Sequence, residues 1–201
     1  MKLLLVRHGQ TDWNRDSILQ GHTDLELNQM GMSQVESLTP FIDAQKIDAV
    51  YSSDLLRAMQ TARILLNGRK DMIQGCDLLR EIDFGDLEGM TFNDISSTYP
   101  DLSYTEFSFS KYNGESLKQL GERVSDFADE INAAHTDDNT VLITAHGGTL
   151  RVLLCILLGI DVTHWWQFKM DLASLTVTQS EAGAAAITIL NYTNYAEEME
   201  I

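Results

Sequence analysis

Leu3-Leu4-Leu5-Val6-Arg7-His8-Gly9-Gln10-Thr11-Asp12-Trp13-Asn14 is the stretch that decides the fold. Its four leading apolar residues run on without alternation, the pattern of a strand buried on both faces of a parallel sheet. Where the run stops, a guanidinium, an imidazole and a glycine follow one another, which suits an anion held against a nucleophile. An isolated Arg-His pair more often only closes a strand with polar residues. Here Arg57, Glu81 and His146 follow later apolar runs in the same way. A purely structural role for the whole set would bury charges with nothing to offset the cost.

Outward from that stretch, strands and helices alternate. Gln20 to Asp24 reads as a loop, and Asn28 is placed to cap a helix from Gln29 toward Leu38, ended or kinked by Pro40. Ile47 to Tyr51 is a second strand. Ser52-Ser53-Asp54 offers capping side chains to a helix in which Leu55, Met59, Ala62 and Leu66 recur at helical spacing, with Arg57 in its first turn. Met72 to Cys76 is a weaker third strand, and Leu79 to Gly85 is a loop that turns at the glycine. Asp86 to Asn113, with mixed polarity, aromatics and Pro100, is expected to form a lid or cover of short helical pieces (86–113) within one domain spanning 1–201.

Leu117, Leu120, Val124, Phe127, Ile131 and Ala134 mark a long amphipathic helix that packs on a sheet. Val141 to Ala145 is a fourth strand, and His146-Gly147-Gly148-Thr149 opens a helix that is apolar almost all round from Leu150 to Leu158. Ala173 to Val177 and Ala186 to Leu190, joined across Ser180 to Gly183, form a terminal hairpin, and the acidic tail from Glu197 is expected to fray. The predicted class is α/β: a doubly wound, mostly parallel sheet with helices on both faces. In such sheets ligands bind outside the C-terminal ends of the strands, so Arg7, His8, Arg57, Glu81 and His146 should meet at one edge.

The 201 residues carry a formal net charge of -16, which argues against wholesale binding to nucleic acid or anionic membrane. An anionic ligand must then be drawn in by local cations, because salt screens the global field beyond about 8 Å. Cys76 and Cys155 lie in apolar surroundings and read as reduced core residues, which points to the cytoplasm. Met1 to Val6 is too short for a signal-peptide core, and Leu150 to Ile160 falls well short of the ~20 residues of a membrane span. The histidines at 8, 22, 135, 146 and 164 have no zinc-motif spacing, and neither a metal nor a cofactor is expected.

Two arginines, two histidines and one carboxylate around a point suit phosphoryl transfer. The forks of Arg7 and Arg57 match the equatorial oxygens of the moving group, and backbone N–H groups at the helix opening near Gly147 and Gly148 add to the cradle. His8 attacks phosphorus only while neutral, a form that neighbouring guanidinium charges favour. Glu81 is the one carboxylate of the five and can protonate the departing alkoxide, then deprotonate the attacking water, which predicts a bell-shaped pH profile. His22 is open between a pocket contact and a solvated loop residue. His135 reads as a charge partner for a helix C-terminus. Trp165, Trp166 and Phe168 read as core packing rather than a platform for a ligand's base, and Asp83, Asp86 and Glu88 as a solvated turn.

Three blocks carry a resemblance to the histidine phosphatase superfamily, in its phosphoglycerate-mutase-like branch. They are Arg7-His8-Gly9-x-Thr11-x-x-Asn14, Ser53-Asp54-Leu55-x-Arg57-Ala58-x-Gln60-Thr61-Ala62, and His146-Gly147-Gly148-Thr149-Leu150-Arg151. The resemblance implies a three-layer sandwich in which His8 becomes a phosphohistidine, Arg7, Arg57 and His146 clamp the phosphoryl group, Glu81 donates the proton and Asn14 touches phosphate. It also puts Gln20, Gly21 and Gly147 beside the substrate. Within the superfamily, Glu81 to Gly89 and Asn113-Gly114-Glu115 are most similar to α-ribazole-5′-phosphate phosphatases, with Leu87 where a Trp is usual. This implies a small phosphorylated metabolite as partner, with α-ribazole 5′-phosphate of cobalamin assembly as the substrate. A broad metabolite phosphatase, a phosphoglycerate mutase and a non-catalytic phosphate-binding module are the alternatives.

Overall fold

In the computed structural model, residues 1–67, 69, 73–100, 108–181 and 184–194 are described. Strand β1 (Lys2–Arg7) lies inside a six-stranded sheet and pairs parallel with β4 (Thr140–Ala145), Leu3 opposite Val141 and Leu5 opposite Ile143. On the far side of β4 come β2 (Ala49–Ser53) and then β3 (Ile73–Cys76), both parallel. On the other side of β1, the hairpin of β5 (Leu175–Glu181) and β6 (Ala184–Tyr192) adds two antiparallel strands, giving the order β3-β2-β4-β1-β5-β6. The sheet is therefore mixed, with a parallel four-stranded part that carries the polar strand ends.

The unbroken run Leu3 to Val6 is fully buried, and the pleat divides it between two apolar layers. Leu3 and Leu5 face a layer with Phe127, Ile131 and Leu153, from α6 (Leu117–Ala134) and α7 (Gly147–Leu158). Leu4 and Val6 face the other, with Val35, Ile42 and Leu65, from α2 (Gln29–Glu36), α3 (Thr39–Asp43) and α4 (Leu56–Leu65). Each such side chain contributes about 1.5–3 kcal/mol by leaving water, so the central strand is fixed from both sides.

Asn28 caps α2, its side-chain Oδ1 accepting the Gly31 N–H at 2.8 Å, and the chain breaks before α3, where Pro40 sits in the first turn. The remaining helices are α1 (Asp12–Arg15) and α5 (Phe92–Thr98). Together with short 3-10 turns at Gly85–Leu87 and Ser110–Tyr112, α5 supplies short helical pieces within the segment expected to form a cover. Residues 101–107 of that cover, Met72 of the expected third strand, the Ala182-Gly183 part of the hairpin turn and the tail from Glu197 lie outside the described residues.

Two local expectations change. β2 starts and ends two residues later than its apolar run suggests, so Ser53 belongs to the strand and Leu55 stays extended. The cap of α4 then comes from elsewhere in the chain: Asp24 accepts the Leu56 N–H at 2.6 Å. His135 does stand at the C-terminus of α6, but its Nε2 meets the Tyr51 hydroxyl at 2.9 Å and so fastens α6 to β2. Cys155 is buried in α7, Cys76 half-buried at the end of β3, and both thiols are free. Among the described residues no helix is long and apolar enough to cross a membrane.

Candidate active site

The C-terminal ends of β1, β2, β3 and β4 share one edge of the sheet, and a cavity of about 420 Å³ opens there. Arg7, His8, Arg57, Glu81 and Gly147 line it, with Asn14, Gln20 and Gly21. His146 stands directly behind, its ring edge-on to His8 with centroids 5.1 Å apart.

His8 is buried, and its Nδ1 lies 2.8 Å from the Gly9 carbonyl. A carbonyl only accepts, so Nδ1 carries the proton and the Nε2 lone pair is left for chemistry. Burial, then the charges of Arg57 and Arg7, push the imidazole pKa well below 6.5, against a smaller upward pull from Gly9. The ring is therefore neutral at physiological pH. His146 is held neutral in the same way, by burial and then by Arg57, His8 and Arg7. Its Nε2 is 2.8 Å from Ser53 Oγ. That hydroxyl accepts the Leu55 N–H and keeps both a second lone pair and its own proton, and when it donates that proton to Nε2 the imidazole proton stands on Nδ1. Nδ1 has no hydrogen-bond partner among the described residues and is free to donate to a ligand.

Arg7 lies against the start of α7, Nη1 donating to the Met170 carbonyl at 2.7 Å. A side chain at Gly147 would put its Cβ 3.2 Å from the guanidinium carbon, so glycine permits the approach. Arg57, in the first turn of α4, donates from Nη1 to Thr23 O (2.9 Å) and from Nη2 to Gly21 O (2.7 Å). Burial lowers its pKa to about 10, with Glu81, Asp24 and Glu88 pulling it back up, so it remains a cation. Two of a guanidinium's five N–H donors are thus given to the loop. Nε–H has no partner among the described residues.

Glu81 enters on the loop after β3. Its Oε2 accepts the Gly148 N–H and its Oε1 the N–H groups of Thr149 and Ile82, all at 3.1 Å. The first-turn amides of Gly148 and Thr149, expected to cradle phosphate, instead hold the carboxylate. The reason is electrostatic: a helix N-terminus favours whichever anion reaches it, and here a side chain of the same protein does.

Asn14 closes a capping box on α1, its Oδ1 accepting from Thr11 N–H and Oγ1, which leaves its amide NH2 as the donor available to a ligand. His22 lies outside the cavity wall on a loop and is about a third exposed (32%). Its Nε2 contacts the Glu81 carbonyl at 2.8 Å, and Nδ1 is 3.9 Å from the Asp83 carboxylate. Trp165 packs on the core and also lines the cavity, whereas Trp166 is 67% exposed, so only Phe168 and part of Trp165 follow the core expectation.

Glu88, expected in a solvated turn, accepts from His22 N–H (2.7 Å), Thr23 N–H (2.8 Å) and Thr23 Oγ1 (2.5 Å), and so shapes the loop that Arg57 grips. Arg123 was not singled out by the sequence pattern. It pairs through two bonds with Glu115 and donates to the carbonyls of Leu78, Arg80 and Glu81, holding the Glu81 loop in place. The one available signal was the number of loop backbone groups needing a charged partner. Among the described residues no group of three His, Cys, Asp or Glu side chains is arranged to hold a metal ion.

Residues 3–193 match the sequence profile of the histidine phosphatase superfamily (branch 1). Phosphoserine phosphatase 1 of Hydrogenobacter thermophilus is 31% identical over 100% of this chain and 97% of its own. The adenosylcobalamin/alpha-ribazole phosphatase of Salmonella typhimurium is 30% identical over 95% of this chain and 96% of its own. The crystal structure of the alpha-ribazole phosphatase from Shigella flexneri superposes with a TM-score of 0.86 at 28% identity, covering 96% of each chain. The chain belongs to the histidine phosphatase superfamily, with the phosphoglycerate-mutase-like fold, and is a phosphoric monoester hydrolase of that type.

Proposed function

We propose that this protein hydrolyses phosphate monoesters through a phosphohistidine on His8, without a metal. The observation that carries this reading is the Nδ1–Gly9 hydrogen bond, which leaves a neutral Nε2 lone pair on a buried ring beside Arg7 and Arg57. Nε2 attacks phosphorus as the ester oxygen leaves on the opposite side and takes a proton from Glu81, which enters this step as the carboxylic acid and leaves it as the carboxylate. Arg7, Arg57 Nε–H, His146 Nδ1–H and the Asn14 amide stabilise the phosphoryl oxygens. Glu81 then takes a proton from water, which attacks the phosphohistidine and releases phosphate and the imidazole. Gln20, Gly21 and Gly147 complete the substrate's surroundings.

Residues 86–113 act as a cover over a single domain, a reading supported by Leu87, Phe92, Ile95 and Phe109 in the cavity wall. For the leaving group, α-ribazole 5′-phosphate is supported by that wall, since Trp13, Phe84, Phe92, Phe109 and Trp165 suit an apolar, planar base. A phosphorylated hydroxy acid is the second reading, favoured by Arg151 in the same wall. Free thiols at Cys76 and Cys155 support work in the reducing cytoplasm. Trapping with labelled substrate should give an acid-labile phosphoprotein that His8→Ala abolishes, and retention of label would remove His8 as nucleophile. Glu81→Gln should harm alkyl phosphates far more than p-nitrophenyl phosphate, whose leaving group needs no proton. Equal losses would remove Glu81 as the acid.

A further inference from the structure

We infer that Asn191, on the edge strand β6, is a positioning residue for the phosphoryl clamp: through Asp171 it fixes the turn whose backbone carbonyls aim Arg7. The inference rests on the phosphatase reading above and adds a residue that does not itself line the cavity.

Three hydrogen bonds tie the end of β1 to residues 170–174. Arg7 Nη1 donates to the Met170 carbonyl (2.7 Å), Arg7 N–H to the Ser174 carbonyl (3.1 Å), and Ala173 N–H to the His8 carbonyl (3.0 Å). Between these points the chain turns on itself, Ser174 N–H donating to the Asp171 carbonyl at 3.2 Å with the buried Ala173 at φ +46°. An alanine rarely adopts that left-handed conformation, which persists only where the surroundings over-determine it.

The anchor stands on β6. Asn191 Oδ1 accepts the Asp171 N–H and Asn191 Nδ2 donates to Asp171 Oδ2, both at 2.6 Å, a reciprocal pair that also settles which way the amide points. The other partner of the Asp171 carboxylate, Lys169 at 2.8 Å, is 67% exposed, so its attraction is screened by solvent. Asn191 is aimed by an irregularity of its own strand. Between the pairs Leu175–Tyr192 and Val177–Ile189, Leu190 and Asn191 together stand opposite the single residue Thr176, with Asn191 at φ +53° and its N–H donating to Thr176 Oγ1 at 3.1 Å. Such a bulge re-aims a side chain, and asparagine tolerates the left-handed backbone it needs. The Asp171 carboxylate stays charged behind the clamp: burial pushes its pKa up, but Lys169, Asn191 and Arg7 together outweigh burial and hold it below the usual range.

Asn191→Gly keeps the left-handed backbone and removes the amide. Arg7 acts on the phosphoryl group that every ester shares. The loss in kcat/KM should therefore be about 10- to 100-fold on an alkyl phosphate and on p-nitrophenyl phosphate alike, with inhibition by inorganic phosphate about tenfold weaker. An unchanged kcat/KM overturns the inference, as does a loss confined to the alkyl ester, which would place the effect at Glu81. Asn191→Asp sets two carboxylates against each other and should lose as much. Combining it with Asp171→Asn restores both hydrogen bonds with the partners exchanged, and kcat/KM should recover to within about threefold of wild type. No recovery over Asn191→Asp overturns the inference, and this exchange decides if Asn191→Gly does not fold. Wild-type protein with no turnover of any ester refutes the phosphatase reading instead. Calorimetric binding of inorganic phosphate to wild type and Asn191→Gly then tests the clamp without turnover: weaker binding to the variant supports it, and equal affinities overturn it.

Discussion

Gly148→Ala separates catalysis from stability, lowering the first and leaving the second nearly unchanged. A Cβ at 148 would stand 2.6 Å from Glu81 Oε1, whereas ordinary contact begins at 3.4 Å, so the carboxylate must retreat by about 0.8 Å. It cannot simply swing aside, because the N–H groups of Ile82, Gly148 and Thr149 hold it from three positions. A proton donor misplaced by nearly 1 Å costs on the order of 100-fold in rate. The helix itself prefers the change, since alanine is favoured over glycine in a helix by up to about 1 kcal/mol. That gain and the strained carboxylate contact roughly cancel, which keeps the melting temperature within about 2–4 °C of wild type. The assay is kcat on an alkyl phosphate and on p-nitrophenyl phosphate, paired with a thermal melt. The alkyl ester should lose about 100-fold and the nitrophenyl ester much less. Wild-type kcat on the alkyl ester, or equal losses on both at an unchanged melting temperature, would refute the placement of the acid by the helix amides.

Glu88→Gln removes the charge that gathers the His22 and Thr23 N–H groups, loosening the carbonyls that Arg57 grips. KM for any phosphate ester should rise about tenfold, checked by steady-state kinetics with inorganic phosphate as competitor, and an unchanged KM would show that the loop holds its shape without that charge. The neutral histidines predict an acid-sensitive fold. His8 and His146 have folded pKa values well below 6.5, so as pH falls through 6.5 the unfolded chain takes up protons first, and stability falls with it. Each histidine contributes at most about 1.4 kcal/mol per pH unit. Melting temperatures between pH 7 and pH 5 should decline less steeply in His146→Gln, and an unaltered slope would contradict burial as the cause.

The parallel core and the polar strand ends were legible because an unbroken apolar run and the residues just after it obey one geometric rule. What escaped depends on partners far along the chain. The cap of α4 is Asp24, more than thirty residues before the helix it caps, and no local pattern announces it. Glu88 and Arg123 act on backbone groups, which carry no residue-type signature. The occupant of the α7 N-terminus is not legible either, because the sequence marks an anion site without saying which anion reaches it first. Trp165 and Trp166 separate because the 3-10 turn Val162–Gln167 rotates successive side chains by about 120°, sending one into the cavity wall and the next into solvent.

The two-sided burial of β1 also leaves that strand without an alignment mark in its own core. Leu3, Leu4 and Leu5 are interchangeable, so sliding β1 by one residue replaces leucine with leucine at two of its four buried positions and is opposed at its ends, where Lys2 would enter the Leu3 position or Arg7 the Val6 position. The polar end is where such a slip would be felt. Arg7 N–H donates to the Ser174 carbonyl, His8 N–H to that of Ala145, and the His8 carbonyl accepts the Ala173 N–H. The arginine and histidine proposed for catalysis therefore also serve as the alignment mark of the central strand, and a chain that folds one residue out of step both loses its nucleophile and carries Lys2 or Arg7 into an apolar layer.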